Sequence, residues 1–370
     1  MGPLFDPADF RLQPGIAHVC AAGETPFLHS HDQALLRYAE DKSNGMAGRH
    51  RQESQIERAR AGLANLWHAG HDEIGFVSNV AEGVSIVAES IDWRAGDNIC
   101  IDAHEYPSVV GPFALRRSPA IELRTSHGGE PDRVAALVNE HTRLIGVSAV
   151  SYLTGERFDL KPLRQAADRV GALLIVDYTQ ASGYLPIEAS VADFAFSACY
   201  KWMLGATGVA VAYWNRQRQP DWAPITAGWN SLGSAADGYD PVPPLRADAM
   251  RFTRGNPAHA SIYVLNGALD YLARFDMEAV LAHVQGLTVA LLDRLEALQI
   301  SSTTPRDPLR HGASVCVASP RARAIVDTMA EQGVWAWNGH GRVRFSFHGY
   351  NSVHDVDRIV AAFRAASGRS

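Results

Sequence analysis

The sequence predicts an α/β fold, a mixed and mostly parallel sheet flanked by helices with a small α+β C-terminal domain, and three observations lead there. From about residue 50 to 215, short β-rich runs alternate with helical stretches, the pattern of strands joined by helical crossovers. One such unit is explicit: Leu144–Ser151 reads as a strand, Thr154-Gly155 as a turn, about Leu160 to Val170 as a helix, and Ala172–Asp177 as the next strand. Beyond residue 300, β-like runs at Ala313–Ala318 and Val343–Phe347 and helical patterns at Arg321–Gln332 and Val353–Ala366 suit a separate α+β unit.

The elements divide the chain into an N-terminal arm over 1–20, a large ligand-binding domain over 21–260, and a linking helix with the small domain over 261–370. The link is a long helix from Ala258 to Leu298, broken near Phe275-Asp276. Between Asp221 and Pro244 a stretch rich in Gly, Pro, Trp and Ser has no periodicity, and a loop of that length in a compact domain is usually functional.

Composition narrows the function. A chain of 370 residues, 46% of them hydrophobic, can bury a large core. Its 34 basic and 40 acidic side chains give a net charge of −6 and no basic stripe, which argues against nucleic acid as a partner. Cys20, Cys100, Cys199 and Cys316 lie far apart without a CxxC pair, so no metal site or disulfide framework is expected and a reducing cytoplasm suits the chain. The first residues, Met1 to Asp6, lack a basic segment followed by an apolar core. No apolar run reaches the roughly 18 residues of a membrane span. A soluble, untargeted protein with no membrane partner is expected.

Open α/β sheets bind ligands outside the carboxyl ends of their strands, and Asp177 ends an entirely apolar run. Lys201 follows a second β-like run, Asp193–Tyr200. Alone, the aspartate is as readily a turn cap and the lysine a solvated strand end. Together, with Gln180 just beyond Asp177 and Tyr200 directly before Lys201, they supply what an electron-sink cofactor requires: an amine to hold an aldehyde and an acid beside a ring nitrogen.

The run Val176-Asp177-Tyr178-Thr179-Gln180-Ala181-Ser182-Gly183-Tyr184-Leu185-Pro186, followed by Asp193-Phe194 and Cys199-Tyr200-Lys201-Trp202, resembles the core of class V aminotransferase-fold enzymes, which are fold type I enzymes dependent on pyridoxal 5'-phosphate (PLP). The resemblance runs from about residue 50 to 360 and is nearest the kynureninase and cysteine desulfurase branch. The segment Ser151-Tyr152-Leu153-Thr154-Gly155-Glu156-Arg157-Phe158 is similar to one in kynureninase. The resemblance implies that Lys201 holds the PLP aldehyde as an imine, Asp177 faces the pyridine nitrogen, and Gln180 bonds the phenolic oxygen. It also implies that Tyr106 stacks on the ring and Tyr200 reaches the phosphate, while Trp229 and Asn256 reach phosphate or substrate, in cis or across a homodimer with shared active sites. The phosphate cradle falls on Phe76–Gly83, a strand-to-helix turn, where Ala81 replaces a frequent threonine and leaves the backbone donors of Val80 and Ala81 to serve. Arg344 matches the arginine that clamps a substrate carboxylate, and Arg342 is an alternative on the same strand face.

Reaction type is less determined. A desulfurase needs a nucleophilic cysteine on the loop before that arginine, and Gly333–His340 contains none. Trp335 and Trp337 on the same loop could line an apolar pocket, or pack in the core. A kynureninase-like lyase acting at the β carbon of an amino acid leads, although Asp41–His50 does not match that family's substrate-ring segment. Alternatives are a class V aminotransferase or epimerase, or a non-catalytic relative that retains the fold. An NAD-linked oxidoreductase is weaker, since no G-x-G-x-x-G follows an early strand.

Overall fold

A computed structural model of the protein describes residues 1–116, 118–126, 131–233 and 243–368. The loop expected over Asp221–Pro244 therefore lies partly outside the described residues, and its described part carries one short 3-10 turn at Trp229–Ser231.

After a two-residue strand β1 (Ala17–His18) come two helices that the sequence pattern does not single out, α1 (Ser30–Lys42) and α2 (Gly45–Leu66). The large domain continues as β2 (Ile74–Val77), α3 (Val80–Ser90), β3 (Asn98–Asp102), α4 (Pro107–Ala114), β4 (Glu122–Ser126), α5 (Pro131–Ala136) and β5 (Thr142–Ser148). It closes with α6 (Lys161–Val170), β6 (Leu173–Asp177), β7 (Phe194–Ala198) and β8 (Ala210–Trp214). These strands form one seven-stranded sheet in the order β2-β8-β7-β6-β5-β3-β4. Only β8 is antiparallel to its neighbours, so β2 runs the same way as the rest. The carboxyl ends of six strands therefore share one edge, where the crossover rule places a ligand.

Local chemistry explains the central unit. Strands β5 to β7 are covered on both faces, hence their near-continuous apolar runs. Helix α6 buries Leu163, Ala166 and Ala167, a stripe at helical spacing, and ends on Gly171 in the left-handed conformation at φ 70°.

The linking helix is two helices, α7 (His259–Leu272) and α8 (Met277–Ala297), bent by 86° at the break. Asp276 caps α8 by accepting the Glu278 N–H at 3.2 Å. Among the described residues no single helix is long and apolar enough to cross a membrane. The small domain follows as β9 (Ser314–Ala318), α9 (Ala322–Glu331), β10 (Val334–Trp335), β11 (Trp337–Gly339), β12 (Arg342–Ser346) and α10 (Val353–Ser367), with a three-stranded antiparallel sheet in the order β11-β12-β9.

The N-terminal residues pair with the C-terminal part of the chain. Strand β1 pairs in parallel with β10, Cys20 bridges to Ser346, and the N–H groups of Leu4 and Phe5 both donate to the Gly349 carbonyl at 2.8 Å. The arm is thus woven into the C-terminal domain. A two-residue ladder is too short to leave a periodic signature in sequence.

One glycine fixes the approach of the chain to the sheet edge. Gly183 has φ +109°, and a Cβ there would lie 2.2 Å from the Trp202 carbonyl oxygen, beside Lys201. Gly183→Ala should therefore cost about 2 kcal/mol or more. The expected result is a lowered urea midpoint, whereas a wild-type midpoint would show that this turn can adapt.

Candidate active site

Asp177 stands at the last position of β6, opposite Ser148 on β5 and Phe196 on β7, and is 3% exposed. One carboxylate oxygen accepts the Thr179 N–H at 2.8 Å. Burial raises its pKa, opposed by the Thr179 bonds and by the charge of Lys201. Gln180 is held at both ends of its amide: Nε2 donates to the Ala22 carbonyl at 3.0 Å, and Oε1 accepts from Trp202 Nε1 at 3.1 Å.

Lys201 lies just past β7 in a turn whose carbonyl accepts from Leu204 N–H at 2.8 Å and Thr25 Oγ1 at 2.9 Å. The residue is 6% exposed. Its ammonium lies 5.7 Å from the Tyr106 ring centre and 5.4 Å from that of Tyr200. Burial, with the Arg344 guanidinium adding to it, lowers its pKa to about 8, while Asp177 and Glu24 pull the other way.

Tyr106 precedes Pro107 at the start of α4, just beyond the end of β3, and its ring meets that of Tyr152 edge-on at 4.9 Å. Beneath it lies a residue that sequence patterning misses. Glu105 accepts the Tyr106 N–H at 2.6 Å and the Ser148 N–H at 2.7 Å, and takes the Ser148 hydroxyl as well. Burial, against these three hydrogen bonds and helped by the nearby Asp177 charge, pushes its carboxyl up to about 7. Its partner Ser148 is distant in sequence, so no local pattern announces the pairing.

Of the two arginines on β12, only Arg344 enters the site. It is 3% exposed, donates from Nη1 to the Tyr152 carbonyl at 2.7 Å, and lays its guanidinium over the Trp337 ring at 4.2 Å. Its Nε is buried without a hydrogen-bond partner, a donor still to be used. Arg342 is half-exposed and turns back to the His340 carbonyl at 3.1 Å.

At the start of α3, Asn79 caps the helix by accepting the Glu82 N–H at 2.9 Å, and the Glu82 carboxylate takes the Ser78 N–H at 2.7 Å. The amides of Val80 and Ala81, at the first two helical positions, have no intrahelical acceptor. Asn256 is exposed and lines a cleft of about 210 Å³ with Ser78 and Glu82. Trp229 is 59% exposed on the surface, with the Arg49 guanidinium 5.8 Å from its ring.

The segment Gly333–His340 folds as β10 and β11 leading into a tight turn, without a cysteine. Cys199 and Cys316 are buried, and burial of the half-buried Cys20 pushes its thiol up to about 11.

Lys201, Asp177, Gln180, Tyr106, Tyr200 and Arg344 are thus gathered at one sheet edge, with the free amides of Val80 and Ala81 at that same edge. The donor set fits PLP. A buried amine of lowered basicity suits an aldehyde, a buried carboxylate without a cation bonded to it suits a ring N–H, and Tyr106 offers a flat face.

The aminotransferase class-V family matches this chain over residues 28–359. A probable cysteine desulfurase of Methanothermobacter thermautotrophicus is 27% identical over 343 residues, covering 85% of this chain and 84% of the relative. A cysteine desulfurase of Yersinia pestis is 27% identical over 341 residues, covering 84% and 82%. In three dimensions, the apo cysteine desulfurase of Thermococcus onnurineus NA1 superposes with a TM-score of 0.88 at 21% identity over 100% of both chains. The cystine C–S lyase C-DES, in complex with its product cysteine persulfide, gives 0.87 at 22% identity over 95% and 97%. Of the two branches the sequence resembles, these relatives carry the cysteine desulfurase name, not that of kynureninase. By this match over most of its length, the chain belongs to the aminotransferase class-V family and is a PLP-dependent enzyme.

Proposed function

We propose that the protein is a lyase that breaks a bond at the β carbon of an α-amino acid, a carbon–sulfur bond, without passing sulfur through a cysteine of its own. The names of the relatives support the carbon–sulfur bond. The observation that carries the second half is the closed β11–β12 hairpin, which stands without a cysteine where a persulfide relay would need a mobile one. A lyase of the kynureninase type, cutting a carbon–carbon bond, is the neighbouring chemistry on the same residues.

When bound, PLP supplies the electron sink for charge that develops at Cα. The chain's residues do the rest. Arg344 binds the substrate carboxylate through its planar donors and places Cα beside Lys201. The Lys201 amine holds the cofactor between turnovers and takes the proton from Cα once released. Asp177 keeps a proton on the ring nitrogen, Gln180 bonds the phenolic oxygen, and Tyr106 covers the ring. Tyr200 and the Val80 and Ala81 amides hold the phosphate. The β substituent leaves with the electron pair of the bond to Cβ and is protonated to a thiol; hydrolysis of the remainder gives pyruvate and ammonia.

The active unit is a homodimer in this reading, with Trp229 and Asn256 completing the partner's site. Exposed Leu36 on α1, Met46 at the start of α2, Ile225 and Trp229 support it, for such apolar side chains call for cover. Arg49 on α2 lies 5.8 Å from the Trp229 ring centre.

Product analysis on a panel of S-substituted cysteines tests the reaction. Pyruvate, ammonia and thiol are expected; alanine, a keto acid that keeps the side chain, or an inverted amino acid would each point to another class V reaction, and no product to a non-catalytic relative. Cys20→Ser should keep its turnover, whereas loss of sulfur release would establish a persulfide route. Lys201→Ala should lose turnover by about 10³-fold or more, together with the borohydride-fixed adduct. Asp177→Ala should keep the adduct but lose about 10²-fold or more in rate. A lysine pKa lowered to about 8 leaves more free amine as pH rises through that value. The rate at which apoprotein takes up PLP should therefore climb between about pH 7 and 9 and then level off; a rate that is flat or falls over that range would contradict the assignment.

A further inference from the structure

The turn Cys20–Thr25 touches the site at Gln180, at Lys201 and beside Arg344. The Cys20 carbonyl accepts the N–H groups of Gly23 and Glu24 at 2.8 and 3.0 Å, which closes the turn. The Ala22 carbonyl receives Gln180 Nε2 at 3.0 Å, and Thr25 Oγ1 donates to the Lys201 carbonyl at 2.9 Å. At Gly23 a Cβ would sit 3.8 Å from Arg344 Nη2 and 3.7 Å from Trp337 Cδ1. Glu24 therefore stands between a residue lying against Arg344 and one bonded to Lys201. Its side chain is exposed, and among the described residues no cation pairs with it. Burial raises its carboxyl, while the Lys201 charge lowers it, so the carboxylate stands in the field of the catalytic amine.

Aromatic groups wall the same opening. Trp337 lies under Arg344, and Tyr152 meets Tyr106 at 4.9 Å and His340 at 5.8 Å. With Arg344 on the α-carboxylate and Lys201 on the cofactor, both cations are engaged, and the exposed Glu24 carboxylate is left as a charge beside them for the β substituent. An exposed carboxylate next to a residue that lies against Trp337 favours a cation and repels an anion.

We infer that Glu24 selects the distal end of the substrate, and that the β substituent it selects carries a positive charge. The inference rests on the β-lyase reading above and specifies its substrate class: a cysteine S-conjugate whose arm ends in an ammonium or a similar cation.

Three probes of similar reach test it on the holoenzyme: S-(2-aminoethyl)cysteine, S-(carboxymethyl)cysteine and S-propylcysteine, the last as a neutral reference. The aminoethyl conjugate should exceed the carboxymethyl one in kcat/KM by about tenfold or more, and added salt should narrow the gap. Glu24→Gln should bring the ratio close to one, and Glu24→Lys should invert it. A wild-type ratio near one, or a ratio that neither substitution moves, overturns the inference. Binding read by spectral titration separates the two proposals. Tighter binding of the aminoethyl probe without cleavage of any probe would keep the specificity and remove the lyase reaction. Cleavage of all three without preference would do the reverse.

Discussion

Lys201 and Asp177 are buried within each other's field without forming a direct ion pair, and the rest of the site follows from that arrangement. Each charge pays for leaving water, and neither recovers the cost from a directly bonded counter-ion. A molecule that binds the amine covalently at one end and offers a proton to the carboxylate at the other relieves both. The sheet delivers the pair because β6 and β7 are adjacent and parallel, so their carboxyl ends coincide. The reversal at β8 then leaves β2 running with the others, which brings the start of α3 to the same edge.

The large-domain core of this design was legible in sequence because it is local. A carboxylate ending an apolar run, a Tyr-Lys pair after the next run, and an aromatic before Pro107 are all features of short segments. Strand and helix positions from β5 to β7, and in the small domain, were legible for the same reason. The helices α1 and α2 were not, since α1 buries only His31 and Ala34 and the buried face of α2 is interrupted by Gln52 and Arg60.

Other features depended on long-range packing. Alternation along a strand puts Arg342 and Arg344 on one face, so sequence could not choose between them. The structure does, because Arg342 begins β12 beside the His340-Gly341 turn while Arg344 lies deeper, over the Trp337 ring and bonded to the Tyr152 carbonyl. Glu105 and Glu24 were invisible for a related reason. Each is an ordinary acidic residue in a turn until Ser148, in one case, and Lys201 with Arg344, in the other, are brought beside it by strands remote in sequence.

The pairing of β1 with β10 has a bearing on synthesis. The front of the chain contributes the Cys20–Thr25 turn to the site and the far end contributes Arg344, so the two must meet before the pocket has all its walls. A nascent polypeptide still lacking its last third already holds all seven strands of the large sheet, yet its opening residues have no strand to join. They wait until the ribosome has delivered β10. Completion of the catalytic centre thereby has to follow the synthesis of β10 and β12, and products truncated before them are left without a finished pocket.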